Sequence, residues 1–142
     1  MQHLSHRIWP AKLESLYDAL SFVSSCARSQ GFGPERIGEI EIALEEVLVN
    51  IFKYAYEGGK KGDVKISCGE DDGNFMIEIT DTGIPFDMLA EADPDLTAGI
   101  EERPIGGLGI FFVKQLMSEV RYRREGGRNR LTLVVFKNRE KA

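Results

Sequence analysis

The chain has 142 residues, the length of one ordinary domain, and its 42% hydrophobic and 29% charged residues are typical of a folded globular protein. The net charge of −5 disfavours a general nucleic-acid binder, because phosphate contacts need a basic surface. No apolar run approaches the roughly 20 residues that cross a bilayer, and the start lacks the apolar run of a secretory signal. We therefore expect a single cytoplasmic domain over residues 1–142, with no direct contact to nucleic acid or membrane.

Residues that could bind zinc or act as nucleophiles are few. Cys26 and Cys68 are isolated in the sequence, and both histidines, His3 and His6, lie near the N-terminus. This pattern shows no zinc-type cluster and gives no histidine for a hydrolase triad. We expect two buried, reduced thiols.

The first two elements are predicted to be an edge strand and a helix. Residues 3–9 alternate Leu4, His6 and Ile8 with polar neighbours, which predicts a short edge strand. From about residue 11 to residue 30 apolar residues recur at helical spacing, and Gly31 follows as a stop. The predicted buried stripe of this helix is Leu13, Leu16, Tyr17, Leu20, Val23 and Ala27.

A long second helix, opened by Pro34, contains the segment EIALEEVLVNIFKYAY at residues 41–56. Its predicted core stripe is Ile40, Leu44, Val47, Leu48, Ile51 and Ala55. A second stripe carries Glu46 and Asn50 one turn apart, followed by Lys53 and Glu57. A carboxylate can take a proton from a nucleophile, and an amide oxygen can ligate Mg²⁺. A solvated helix face would show the same spacing, so the pair alone does not distinguish a functional site from a solvated face.

Two alternating apolar segments separated by GEDDGN predict a hairpin, and the turn DTGIPFD (81–87) follows it. Asp81 at the strand end could accept a hydrogen bond from an exocyclic amine such as that of adenine. Gly83 could let a ligand approach the backbone closely. A plain turn has the same composition.

Residues 88–105 are acidic, contain two prolines and have no sustained period, which predicts a long irregular loop with one helical turn near 88–92. Such a loop is either a lid or a surface insert. GGLGIFFVKQLM (106–117) then predicts a glycine-rich turn entering an apolar helix, where bare backbone N–H groups can bind phosphate. A second hairpin ends the chain, and its arginines, between 121 and 130, suit a solvated tip or a partner-binding patch.

These signals in this order resemble the GHKL, or Bergerat-fold, ATPases. The resemblance extends from about residue 41 to residue 120, with EEVLVNIFKYAY as the N box, and DTGIPFD and GGLGIFFVKQLM as the two glycine boxes. Within that family the chain looks most like the small stand-alone serine kinases that act as anti-sigma factors. Those kinases often carry His where Tyr54 stands. Arg103 does not align with the arginine common before the second glycine box, so its role stays open.

The resemblance implies both a fold and a set of site residues. The fold is an α/β (α+β) two-layer sandwich: a mixed, mostly antiparallel sheet covered on one face by helices, with an ATP lid before the last helix. Asn50 would ligate Mg²⁺, Asp81 would read the adenine amine, and Gly83 would let the base lie against the backbone. Glu46 would orient or deprotonate the attacking hydroxyl, and Lys53 would contact phosphate or be solvated. The residues that would wrap the phosphates are Gly106, Gly107, Leu108 and Gly109.

The resemblance also implies an activity. It is that of an ATP- and Mg²⁺-dependent serine/threonine-protein kinase that phosphorylates an anti-anti-sigma (STAS-type) protein and holds a sigma factor, as a possible homodimer. Two alternatives remain open on the sequence. One is a non-catalytic module that uses ATP to set its shape and hold a partner, and the other is a domain that binds no nucleotide.

Overall fold

The computed structural model describes residues 2–56, 60–90 and 107–137. In these residues the helices and strands are β1 (Gln2–Pro10), α1 (Leu16–Ser29), α2 (Pro34–Tyr54), β2 (Asp63–Asp71), β3 (Asn74–Asp81), α3 (Gly107–Leu116), β4 (Glu119–Glu125) and β5 (Arg128–Val135). The sheet order is β1-β2-β3-β5-β4, and every neighbouring pair is antiparallel. The predicted two-layer α+β sandwich with a mostly antiparallel sheet is confirmed.

The central helix α2 carries the core that was predicted for it. All six residues of its predicted apolar stripe are buried, and α2 packs against both α1 and α3. Alternate residues of the two central strands face this helical layer. They are Phe75, Ile77 and Ile79 of β3 and Leu131, Leu133 and Val135 of β5. Because strand side chains alternate between faces, this register also directs Asp81 and Asn129 to the helical side.

Both hairpins close with two-residue turns. Asp72 and Gly73 have φ of 53° and 80°, and Gly126 and Gly127 have φ of 59° and 74°. Left-handed conformations at both turn residues match the right-handed twist of the flanking strands. The first turn is therefore tighter than GEDDGN suggested, and β2 and β3 extend into that segment.

The predicted edge strand is confirmed, but its alternation was assigned to the wrong face. Trp9 pairs with Val64 and points into the core, whereas Ile8 pairs with Lys65 on the opposite face and is 60% exposed. The indole Nε1 of Trp9 donates a hydrogen bond of 2.8 Å to Asp18 Oδ2 on α1. The aromatic residue therefore determines which face of β1 is buried.

The first helix begins later than predicted. A 3-10 turn at Leu13–Ser15 precedes α1, and Ser15 Oγ donates a 2.7 Å hydrogen bond to Pro10 O. Leu13 and Tyr17 were predicted to be buried, but they are 62% and 82% exposed. Leu13 lies before the helix, so the helical spacing does not apply to it. The buried stripe of α1 is Leu16, Ala19, Val23, Ser24 and Ala27.

The predicted helical turn after the first glycine box is present as a 3-10 turn at Met88–Ala90. The predicted lid, Arg103 and Gly106 lie outside the described residues. No helix in the described part of the chain is long and apolar enough to cross a membrane.

Candidate functional site

A narrow cavity lies between α2 and the ends of β3 and β5. Its enclosed volume is about 10 Å³, room for about one water molecule, and the space open to solvent brings the total to about 310 Å³, so a larger ligand requires the lining side chains to move. Most of its walls are apolar, and the polar groups come from the strands. The lining residues are Ile51, Ala55, Ile79, Asp81, Phe86, Met88, Tyr122, Asn129 and Leu131. This composition suits a flat, largely apolar ligand with one polar edge.

Asp81 is the charged residue in this lining, and it is only 5% exposed. Its Oδ1 accepts hydrogen bonds of 2.9 Å from Gly83 N and from Asn129 Nδ2. No described residue donates a hydrogen bond to Oδ2. Since both hydrogen bonds that the described residues donate to this carboxylate go to Oδ1, Oδ2 is the acceptor left for a ligand in the cavity.

Asn129 is the site residue that the sequence interpretation missed. Its Nδ2 donates to Asp81 Oδ1 at 2.9 Å and to Ile84 O at 2.7 Å. Its Oδ1 accepts hydrogen bonds from Tyr122 OH at 2.6 Å and from Phe86 N at 3.2 Å. The side-chain amide thus joins β5 to the end of β3, to β4 and to the first glycine box. The alternation of β5 contained a signal, because Asn129 shares a strand face with Leu131 and Leu133.

Gly83 has a structural reason in addition to the predicted one. A Cβ at this position would lie 2.2 Å from Ala55 O, the backbone carbonyl that also accepts a 2.9 Å hydrogen bond from Ile84 N. The end of α2 therefore approaches Gly83 closely, and the approach of a ligand to this backbone stays a prediction. Arg124 Nη1, from the arginine-rich hairpin, donates a 2.8 Å hydrogen bond to Gly83 O and holds the turn from the other side.

The Ala-Tyr of the N box joins the end of α2 to the sheet. Tyr56 OH donates to Asp63 O at 2.6 Å and accepts a 2.9 Å hydrogen bond from Thr82 N. The ring of Tyr54 lies 6.0 Å from that of Phe86, centroid to centroid. The end of α2 therefore fixes the turn that carries Asp81.

Asn50 is buried, with 8% of its surface exposed, which a plain solvated stripe would not produce. Its Nδ2 donates a 2.8 Å hydrogen bond to Glu46 O one turn earlier, and no described residue donates to its Oδ1. That oxygen has the chemistry of a Mg²⁺ ligand. The described residues contain no group of three or more His, Cys, Asp or Glu that could hold a metal.

Glu46 lies against the first turn of α3. A Cβ at Gly109 would lie 1.9 Å from Glu46 Oε2, so glycine leaves the space that the carboxylate occupies. The N-terminus of a helix carries partial positive charge, which favours an anionic group there. Gly107 begins α3, whereas Gly106 and the side chain of Leu108 lie outside what the structure describes. Lys53 is exposed in the last turn of α2.

Helix α2 brings the separate sequence signals together. Ala55 and Ile51 line the Asp81 cavity, Asn50 directly precedes Ile51, and Glu46 one turn earlier contacts the first turn of α3. From Ala55 to Glu46 the helix spans about 14 Å. Three groups therefore follow one another along one helix. They are the apolar cavity with the free Asp81 oxygen, the amide oxygen of Asn50, and the Glu46 carboxylate at the N-terminus of α3.

Comparison with known proteins shows the family of the chain. Residues 9–135 match the family model described as a histidine kinase-like ATPase domain. The chain is 29% identical over 138 residues to the serine-protein kinase RsbW of Bacillus licheniformis, covering 93% of this chain and 84% of that protein. It is 31% identical over 116 residues to the serine-protein kinase RsbW of Listeria monocytogenes, covering 79% of this chain and 74% of that protein.

A solved structure shares the fold. The structure of the RsbU and RsbW domains of Rv1364c from Mycobacterium tuberculosis is similar with a TM-score of 0.63 at 17% identity. The match covers 94% of this chain and 32% of that longer chain. At this identity the similarity establishes the fold alone. The family model and the sequence relatives establish the rest: the chain belongs to the histidine kinase-like ATPase (GHKL) family, in which its relatives are RsbW serine-protein kinases.

Proposed function

We propose that the chain is an ATP- and Mg²⁺-dependent serine/threonine-protein kinase that acts as an anti-sigma factor. The observation that carries the proposal is the succession along α2 of the Asp81 cavity, the free oxygen of Asn50 and the Glu46 carboxylate at the start of α3. The relatives named serine-protein kinases support the same class of reaction.

Adenine binds in the apolar cavity. Its exocyclic amine donates to Asp81 Oδ2, because Gly83 N and Asn129 Nδ2 already occupy Oδ1. Ile51, Ile79 and the ring of Phe86 supply apolar surface for the two faces of the base. A purine whose edge carries an acceptor in place of the amine would face the carboxylate unfavourably, which makes the site selective for adenine.

The phosphates extend along α2 towards α3. Asn50 Oδ1 holds Mg²⁺, which supplies neutralisation of the phosphate charge. The backbone N–H groups of Gly106, Gly107, Leu108 and Gly109 bind phosphate oxygens at the N-terminus of α3. Lys53 contributes positive charge from the exposed side. The segment before Gly106 closes over the nucleotide as a lid.

Glu46 acts on the attacking group. Its carboxylate lies at the first turn of α3, beside the phosphate position, where it accepts the proton of the incoming hydroxyl. Phosphoryl transfer depends mainly on positioning and charge neutralisation, so one such acid suffices. The acceptor is a serine or threonine of an anti-anti-sigma (STAS-type) protein, and a sigma factor is the competing partner in the cytoplasm. The kinase would act as a homodimer.

The second candidate is a non-catalytic module that binds ATP only to hold its partner. The contact between Glu46 and the glycine turn favours the kinase, because a module has no need of a carboxylate there. A transfer assay from labelled ATP to a STAS-type protein, with ATP binding measured by calorimetry in the presence of Mg²⁺, separates the two.

Three variants sharpen that assay. Glu46→Gln should lower phosphoryl transfer at least about 100-fold and leave ATP affinity within about twofold. Asp81→Asn can keep the contacts of Oδ1 but turns an NH₂ group towards the adenine amine, so ATP binding should be lost. Glu45→Gln, at the adjacent exposed position, is the matched control and should change neither. ATP binding without transfer in the wild type would favour the module, and absence of ATP binding would refute the site.

A further inference from the structure

Arg36 lies in the first turn of α2 and reaches the far end of α3. Its Nη1 donates a hydrogen bond to the carbonyl oxygen of Leu116, the last residue of α3, and its Nη2 donates one of 3.4 Å to Ser118 Oγ. Ser118 Oγ also accepts a 2.9 Å hydrogen bond from Phe136 N, directly after β5. One side chain of α2 therefore holds the segment in which α3 passes into β4.

A guanidinium suits this contact. The side chain of Arg36 is only 11% exposed, and its Nη1 also lies 2.9 Å from Glu39 Oε1, which balances the positive charge. The last carbonyl groups of a helix have no partner within the helix and carry partial negative charge, so a cation is favourable there. Arginine presents its donors in a rigid planar fork, whereas lysine carries one ammonium on a flexible stem. Arg36 therefore fixes where α3 ends relative to α2.

The other end of α3 lies against the proposed catalytic carboxylate. An added Cβ at Gly109 would lie 1.9 Å from Glu46 Oε2, so this part of α3 sits tightly on the carboxylate. The Arg36 contact joins the start of α2 to the end of α3, whereas the Glu46 contact joins a later turn of α2 to the first turn of α3. The two helices therefore run antiparallel, with one contact near each end of α3.

A small tilt of α3 would be felt at the glycine turn. About 10 Å separates Leu116 from Gly109 along the helix, so a tilt of about 6° at the Arg36 contact would displace the glycine turn by about 1 Å. The burial of Ile110 and Val113 in the core does not by itself prevent such a tilt, because apolar packing is not directional and hydrogen bonds are. Reaction rates are sensitive to a misplacement of this size.

We propose that Arg36 is a positioning residue of the kinase, a role that rests on the proposed phosphoryl transfer. It holds the C-terminal end of α3 on α2, so that the N-terminal end presents its backbone N–H groups to the phosphates beside the Glu46 carboxylate. The guanidinium contacts neither ATP nor the acceptor. Loss of Arg36 should lower kcat and leave the KM for ATP nearly unchanged, because the Asp81 cavity lies at the other end of α2.

The test measures steady-state transfer from labelled ATP to a STAS-type protein. In Arg36→Ala, kcat should fall about 10–100-fold while the KM for ATP stays within about threefold. Arg36→Lys keeps the charge but not the fork, so its kcat should lie between those of the wild type and the alanine variant. The matched control is Arg28→Ala, which removes an exposed arginine in the last turn of α1 and should change neither constant.

Free guanidinium ion separates positioning from general destabilisation. An open groove of about 480 Å³ lies beside Arg36, with Phe32 and Phe136 in its lining, so the ion can reach the site that the alanine variant vacates. At about 20 mM, far below denaturing concentrations, it should raise the kcat of Arg36→Ala at least about fivefold. The kcat of the wild type should not change. Circular dichroism on each variant sets an assay temperature below its Tm.

A wild-type kcat in Arg36→Ala would overturn the proposal, and so would a fall in kcat that guanidinium does not restore. If the alanine variant does not fold, Arg36→Lys decides, and a wild-type kcat in that variant would overturn the proposal. Absence of transfer by the wild type would refute the kinase and this role with it. Transfer by the wild type therefore separates a failure of this proposal from a failure of the proposed function.

Discussion

Replacement of Asn129 by alanine tests whether this amide holds the Asp81 cavity together. The substitution removes four hydrogen bonds at once, of 2.9, 2.7, 2.6 and 3.2 Å. Asp81 Oδ1 keeps only Gly83 N, while Ile84 O, Phe86 N and Tyr122 OH lose a partner each. We expect both the stability of the domain and its affinity for ATP to fall.

The magnitude follows from the number of bonds. Each hydrogen bond contributes about 1 kcal/mol, and water that enters the opened site replaces part of this contribution. The free energy of unfolding should therefore fall by about 2–4 kcal/mol. For a domain of this length that corresponds to a drop in Tm of about 6–12 °C. Because Asp81 and the turn after it lose their support, the Kd for ATP should rise at least about 10-fold, equivalent to about 1.4 kcal/mol.

Differential scanning fluorimetry and calorimetric ATP titration measure both effects. Tyr122→Phe is the matched control, since it removes only the 2.6 Å bond to Asn129 Oδ1 and should cost about 1 kcal/mol with little change in ATP affinity. Asn129→Asp keeps the shape but sets a second carboxylate beside Asp81, so ATP binding should fall further than in the alanine variant and recover partly as the pH is lowered. An alanine variant with wild-type Tm and Kd would refute the reasoning.

Two further predictions concern the glycine at α3 and the buried thiol. Gly109→Ala should displace the Glu46 carboxylate and lower phosphoryl transfer about 10–100-fold without lowering Tm. The control is Gly38→Ala in α2, where an added Cβ would have no heavy atom within 4 Å. It should only stabilise the helix, by about 0.5–1 kcal/mol. Equal transfer rates in the two variants would contradict this. Folding raises the pKa of the Cys68 thiol, so the folded protein keeps this proton at pH values where the unfolded chain loses it. The contribution of this thiol to the free energy of unfolding is therefore complete below the ordinary thiol value of 9.0 and declines as the pH rises above it. In urea unfolding above pH 9, wild type should lose about 1.4 kcal/mol per pH unit more than Cys68→Ala, and parallel pH profiles would disprove the linkage.

Local periodicity predicted the parts of the site that lie on one element. The spacing in α2 identified both its buried stripe and the adjacent positions of Glu46 and Asn50, because a helix fixes which residues share a face. The alternation of β3 likewise placed Asp81 at a strand end. The start of α1 was predicted less well, because Leu13 and Tyr17 fit a helical period although a 3-10 turn and the packing of Trp9 determine where the helix begins.

The sequence by itself determined the strongly periodic helix and strands, the order of the motifs and, through their resemblance, the family. Only the tertiary structure decided that Asn129 holds Asp81 and that Gly83 makes room for α2. Each of these contacts joins residues that are distant in the chain, the first across β3 and β5 and the second across a turn and a helix end. Spacing along a chain fixes the face of an element, but the neighbours of that face depend on strand order and helix packing, which arise only when the whole core assembles.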